Sequence, residues 1–258
     1  MSIKLQYAGS TDVGKKRGHN EDNLCLLPEE NLYIAADGMG GHASGEVASQ
    51  IAVDTVADFY KETSEDKDLT WPYKMEKDLD YQENRLAASI KLANLRIHEK
   101  AEDDPGSHHG MGTTIVAAHV SNGLVYFGHV GDSRIYRLRG DTLEQITDDH
   151  SLLNDYIKMK DLSEEEIENF PHKNVIVRAL GMKETVQVDV DHEEPHHKDI
   201  YLLCSDGLCD MLKDDEIEKI MLKERDNLEG CVQALIDAAN DAGGNDNITV
   251  VLVEVLEG

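Results

Sequence analysis

An α+β fold, largely antiparallel with helix pairs flanking the β-structure, is what the sequence predicts from three observations. Short runs of alternating or β-branched apolar residues recur along the chain, amphipathic helical stretches come in pairs, and tight-turn signals separate neighbouring strand-like runs. The 258 residues are 40% apolar, enough to bury the core of one compact unit, so residues 1–258 are expected to form a single domain.

The strand-like runs are IKLQYAGS, NLYIAADG, GTTIVAAHV, GLVYFGHV, SRIYRLR, VQVDVD, IYLLCSDG and NITVVLVEV. Asn122-Gly123 marks a tight turn between the third and fourth, and Arg139-Gly140-Asp141 separates two further runs. Val47, Ile51, Val56 and Phe59 share one helical face; Leu86, Ile90, Ala93 and Ile97 share a second, beyond an acidic loop. Near the C-terminus Asp214 is placed to cap a helix carrying Ile217, Ile220 and Met221, and Val232, Leu235, Ile236 and Ala239 continue the pattern. From His150 to about Val175 the chain turns polar, with Ser163 to Glu166 reading as a capping box on a short helix. This stretch is expected to be a flap insertion.

Fifty-two acidic against twenty-five basic side chains give a formal charge of -27, which argues against nonspecific nucleic-acid binding or an anionic membrane surface and suits cation binding. Cys25, Cys204, Cys209 and Cys231 show neither CxxC spacing nor the density of a disulfide scaffold, so reduced thiols are expected. No apolar run approaches the ~20 residues that span a bilayer, and the N-terminus lacks a basic segment followed by an apolar stretch. A cytoplasmic monomer is the expectation.

Aspartates end or follow apolar runs at four separated places: Asp37 after LYIAA, Asp132 after YFGHVG, Asp206 after YLLCS, and Asp246 just before ITVVLV. Carboxylates at strand ends, beside glycine or serine, are how a chain assembles a hard-cation site from oxygen ligands. Other motif-like stretches carry less. GSTDVGKK at Gly9 to Lys16 has Lys16 where a phosphate-cradling loop needs Ser or Thr. HEEPH at His192 to His196 holds Pro195, which opposes the helix that would align its two histidines.

In RGHNEDN (Arg17 to Asn23), ADGMGGHASGEVAS (Ala36 to Ser49), GMGTT (Gly110 to Thr114), GHVGDSRIY (Gly128 to Tyr136), CSDGLCD (Cys204 to Asp210) and GGNDNITVV (Gly243 to Val251), the chain resembles the metal-dependent, type 2C (PPM) protein Ser/Thr phosphatases in their bacterial form. The resemblance spans nearly the whole chain in the family's motif order. It implies a four-layer αββα β-sandwich of two antiparallel sheets flanked by pairs of antiparallel helices, with a flap, and two or three divalent ions, Mn²⁺ or Mg²⁺. It further implies that Asp37 bridges two metals and that the Gly38 carbonyl is a ligand to one. Asp206 and Asp246 would hold the other, Glu21 would reach the pair with Asp22 beside it, and Asp132, Asp206 and Asp210 would form a weaker third site. Arg17 would hold substrate phosphate. Phosphorylated proteins are the implied partners, with a cognate Ser/Thr kinase acting on the same substrates. The alternatives are a phosphatase of a phosphorylated sigma-factor regulator, against which Arg17 and the free-standing domain argue, and an inactive metal-binding module.

The chemistry supports this independently. A phosphate ester repels anionic nucleophiles, so its hydrolysis calls for neutralised oxygens and an activated water, and a divalent ion supplies both, bringing the pKa of water down to about 7. Arg17 adds a planar, permanently charged fork for phosphate. The chain departs from the eukaryotic pattern at Met39, which stands where those members carry a histidine after Asp-Gly. Met39 has no proton to give, so the leaving alkoxide must be protonated by water or another group, with His19 and His42 as candidates.

Overall fold

The computed structural model describes residues 3–40, 44–66, 68–103, 110–160, 166–167, 170 and 175–257. Two five-stranded antiparallel sheets dominate. One has the order β1 (Ile3–Asp12), β12 (Ile248–Glu257), β11 (Ile200–Cys204), β8 (Arg134–Arg139), β9 (Thr142–Gln145). The other runs β10 (Asp189–Glu193), β7 (Leu124–Val130), β6 (Ile115–Ser121), β3 (Leu32–Ala36), β2 (Asn23–Leu27). A short pair, β4 (Gly38–Met39) and β5 (Gly112–Thr113), sits beside them.

The period-2 alternation of the central strands divides the core into three layers. In β3, Leu32, Ile34 and Ala36 face helices α1 (Ser44–Glu65) and α2 (Tyr81–Asp103), while Tyr33 and Ala35 face the opposite sheet. In β11 and β12, Ile200, Leu202, Cys204, Ile248, Val250 and Leu252 turn the other way, toward the C-terminal helices, and Tyr201, Leu203, Val251 and Val253 meet the first set between the sheets. Both faces of these strands are covered, which is why they read as continuous apolar runs. Each fully buried Val, Leu or Ile contributes about 1.5–3 kcal/mol relative to exposure, so the two rows between the sheets fix their stacking.

The helices on the β11–β12 side are α5 (Asp214–Glu224) and α6 (Leu228–Ala242), preceded by the single turn α4 (Asp206–Cys209). The αββα layering and the antiparallel sheets agree with the expected architecture. None of the described helices is long and apolar enough to cross a membrane.

Several local expectations are corrected. Asp214 is not the cap of α5 but its first residue: Lys213 is the N-cap, its N–H donating to Glu216 Oε2 at 3.0 Å, while Asp214 Oδ1 accepts from Tyr136 Oη at 3.0 Å. The strand expected from Val186 begins at Asp189, because Val186 and Val188 pack onto the α1/α2 core instead of joining the ladder. Strand β2 was not among the expected runs. Asn122 and Gly123 have φ of 54° and 85°, the paired left-handed conformation of a two-residue hairpin turn.

Of the expected flap, α3 (Leu152–Met159) is described, capped by Ser151 Oγ accepting from Asn154 N at 3.2 Å. Its base is closed by Val177 N–H donating to His150 O and Leu152 N–H to Val175 O, both at 2.9 Å. The capping box read at Ser163 to Glu166 includes residues 163–165, which lie outside the described residues, as does His42.

Candidate active site

The connections at one end of the sandwich carry the acidic side chains of interest. Asp37 follows β3, Asp132 follows β7, Asp206 opens α4 directly after β11, and Asp246 stands two residues before β12. The Asp37 turn is fixed by its neighbours: Asp37 N–H donates to Thr114 Oγ1 at 3.1 Å, and Asp37 O accepts from Thr114 N and Thr113 Oγ1, both at 2.8 Å. Gly38 can only be glycine, since a Cβ there would lie 2.2 Å from Gly45 O and 2.4 Å from Glu21 O. The backbone of the first motif and the start of α1 therefore close directly onto Gly38.

The Arg17–Asn23 loop is tied to the chain's last motif by Asn247. This buried side chain accepts Glu21 N–H at 2.8 Å and donates to Val13 O and His19 O at 2.9 and 3.0 Å. Asp22, 4% exposed, receives Ser205 Oγ at 2.8 Å and Thr249 Oγ1 at 2.7 Å on Oδ2. Asn247, Ser205 and Thr249 were not singled out from the sequence. Their signal is polar side chains at the margins of strongly apolar strands, inside motifs whose aspartates drew the attention.

The carboxylates lie close enough to perturb one another. Burial, followed by the charge of Asp22 and Asp206, pushes Asp37 well above the usual carboxylate range, and the Asp37 carboxyl shares a hydrogen bond with Asp206. Burial, then Asp210 and Asp246, raises Asp206 to about 6. Asp132 is pushed to about 7 by burial and then by Asp206. Asp22 also reaches about 7, through burial that outweighs its bonds from Thr249 and Ser205. Four carboxyl groups are thus held where their charged forms repel.

Three of them also carry buried oxygens with no hydrogen-bond partner: Oδ1 of Asp22, of Asp132 and of Asp206. Glu21 Oε1 likewise accepts no hydrogen bond, with His19 Nε2 3.2 Å away. Unpaired buried carboxylate oxygens of one sign, supplied by Asp and Glu alone, fit hard divalent cations such as Mg²⁺ or Mn²⁺, which take oxygen ligands and reverse the repulsion. Asp210 belongs to the same group through its charge on Asp206 and Asp132. Arg17 Nη2 donates to Asp246 Oδ2 at 2.5 Å. The structure therefore joins Arg17 to a carboxylate expected to bind metal. Met39 pairs with Gly112 in β4–β5.

A sequence model of protein phosphatase 2C matches residues 16–252. The chain belongs to the protein phosphatase 2C family. It is 40% identical over 251 residues to the serine/threonine phosphatase stp of Listeria welshimeri, covering 95% of this chain and 93% of that protein. To the protein phosphatase PhpP of Streptococcus pneumoniae it is 35% identical, over 96% of both chains. Among solved structures, the Mycobacterium tuberculosis serine/threonine phosphatase PstP/Ppp superposes with a TM-score of 0.83 at 34% identity, covering 98% of this chain and 99% of that one. The catalytic domain of PstP in complex with two manganese ions gives 0.82 at 32% identity, covering 99% and 100%. The 2C phosphatase fold and the sequence motifs therefore agree over nearly the whole chain.

Proposed function

We propose that this 2C-family chain is a metal-dependent protein phosphatase that hydrolyses phosphoserine and phosphothreonine on proteins. The observation that carries the reading is the set of buried, partnerless carboxylate oxygens from separate strand ends, with Arg17 at its rim. The names of its relatives, and the two manganese ions of the PstP catalytic domain, support it.

In this reading Asp37, the Gly38 carbonyl, Asp206, Asp246 and Glu21 would hold a pair of cations. Asp132 and Asp210 join Asp206 at a third position. Mn²⁺ or Mg²⁺, when bound, supplies the Lewis acidity that activates water and neutralises the phosphate oxygens. The chain's own residues do the rest. Asp22, oriented by Ser205 and Thr249, keeps one oxygen turned into the site to accept a hydrogen bond from water. Arg17, which donates to Asp246 Oδ2, would present its planar fork to the phosphate on leaving that carboxylate. His19, beside Glu21, is placed to give the leaving alkoxide its proton.

Phosphorylated proteins are the substrates, and a Ser/Thr kinase acting on the same proteins is the natural counterpart in a cytoplasmic signalling pair. The sigma-factor-regulator alternative gains nothing from the relatives' names. An inactive module would be expected to lack one of Asp37, Asp206 or Asp246, and all three are present.

The test is phosphate release from a phosphothreonine peptide with Mn²⁺, with Mg²⁺ and with chelator, alongside Asp37→Ala. Metal-dependent release that the substitution abolishes supports the assignment; release that survives chelation and Asp37→Ala sinks it.

A further inference from the structure

His150 is a buried residue between β9 and the flap helix α3, packed against the Gly131 turn, and the chemistry above does not use it. Its backbone N–H donates to Gly131 O at 2.9 Å and its ring Nδ1 accepts the Gly131 N–H at 3.0 Å, so one residue brackets Gly131 on both sides of the peptide unit. A ring nitrogen that accepts a backbone N–H carries no proton, which places the proton of the neutral ring on Nε2. Nε2 faces both Asp189 Oδ2 on β10 at 3.1 Å and Arg178 Nη1 at 3.0 Å, and with Nδ1 accepting from Gly131 its proton is directed to the carboxylate. Arg178 Nη1, from the returning end of the flap, donates to Asp189 Oδ1 at 2.6 Å, and His129 stacks on the imidazole with ring centroids 4.6 Å apart.

His129, His150 and Asp189 bring potential ligand atoms close enough to hold an ion. The local charge argues otherwise: the Arg178 guanidinium already lies on Asp189 and 3.0 Å from His150 Nε2, so a permanent cation stands where a metal would go. The cluster is a brace, and what it braces is the turn carrying Asp132. Gly131 has φ of 115°, and a Cβ there would lie 2.5 Å from Thr114 Cβ, so this backbone conformation is held by its surroundings. Asp132 Oδ1 has no hydrogen-bond partner, leaving its placement to that backbone.

We propose that His150 is a positioning residue whose imidazole clamps the Gly131–Asp132 turn to the base of the flap and so sets the geometry with which Asp132 meets a cation. The proposal rests on the reading of Asp132 as a ligand. It separates two contacts that can be tested apart. Asn at position 150 places an amide oxygen near Nδ1 and keeps the acceptor for Gly131; Gln places an amide nitrogen near Nε2 and keeps the donor for Asp189.

The experiment measures amide hydrogen exchange at Gly131, Mn²⁺ binding by electron paramagnetic resonance, and turnover of an aryl phosphate, in His150→Ala, His150→Asn, His150→Gln and Asp132→Ala. His150→Ala should accelerate Gly131 exchange and weaken the loosest Mn²⁺ equivalent by about tenfold, near the upper end of what one hydrogen bond contributes, while leaving the tighter equivalents unchanged. His150→Asn should restore both properties and His150→Gln neither. Wild-type exchange and Mn²⁺ binding in His150→Ala overturn the clamp, and rescue by Gln but not Asn overturns it in favour of the Asp189 contact. Should His150→Ala fail to fold, the Asn and Gln pair decides. Asp132→Ala with undiminished Mn²⁺ binding refutes the ligand reading itself, an outcome distinguishable because Gly131 exchange reports the clamp without any metal.

Discussion

Two acidic clusters in this molecule look alike by composition and differ in what their oxygens do. At the head of α2, Asp80 and Glu83 meet His192. Asp80 Oδ1 accepts Glu83 N–H at 2.9 Å and Oδ2 accepts Tyr126 Oη at 2.9 Å, while Glu83 Oε2 accepts Asp80 N–H at 2.7 Å and Oε1 lies 2.9 Å from His192 Nδ1. Every carboxylate oxygen has a protein partner, and the cluster is a reciprocal cap on a helix. At the strand ends, Asp22, Asp132 and Asp206 each keep a buried oxygen without one. Carboxylates whose bonds are satisfied hold the fold; carboxylates buried together with unpaired oxygens are suited to a divalent cation.

The largest expected contrast is catalytic. Asp37→Ala or Asp206→Asn should lower kcat on a phosphothreonine peptide by at least about a thousandfold, the scale of losing one preorganised charge-stabilising group. Asp80→Ala should leave kcat unchanged and instead cost about 1 kcal/mol in urea unfolding, as loss of an N-cap does. Activity lost in Asp80→Ala but kept in Asp206→Asn would invert the comparison.

Metal addition should separate the clusters next. A cation at a hundred times its Kd stabilises the folded state by about 2.7 kcal/mol, so Mn²⁺ should raise the Tm of the wild type and of Asp80→Ala equally, and that of Asp206→Asn much less. Equal shifts in all three would remove Asp206 from the cation site. A smaller effect is expected at the rim: Arg17→Ala should raise KM for the phosphopeptide by about tenfold, the loss of a charge-assisted hydrogen bond. An unchanged KM would leave Arg17 as a partner of Asp246 only.

Much of this was legible in the sequence because it is local. Asp37 directly follows an apolar strand and Asp206 follows one after a single serine, so pattern alone put them at strand ends, and the resemblance supplied roles for Glu21, Asp22, Asp210 and Arg17. What could not be read was long-range. The Ser205 and Thr249 hydroxyls on Asp22 lie 183 and 227 residues away, and no spacing rule connects them. Strand β2 escaped notice because NLCLL lacks alternation, and β10 was set too early because Val186 and Val188 are apolar for the sake of the helix layer and not of a ladder. The His150 brace joins residues 131, 150, 178 and 189 from separate segments, which only the folded chain brings together.

The smallest expected effect lies in the satisfied cluster and is a matter of pH. The hydrogen bond to Glu83 raises the His192 pKa above its ordinary value of 6.5, against a weaker opposing effect of burial. The folded state therefore holds the His192 proton more tightly than the unfolded chain. The stabilisation is complete below pH 6.5 and is lost as pH rises through the higher folded value. His192 is 40% exposed, so solvent screens the pair and the effect is small. Urea unfolding of wild type and His192→Gln, at pH values either side of this window, should show the wild-type advantage shrinking as pH rises, with the Mn²⁺-induced shift identical in both proteins. An advantage that grows with pH would mean that the imidazole is bound neutral, and a changed Mn²⁺ response would mean that the two acidic clusters are not independent.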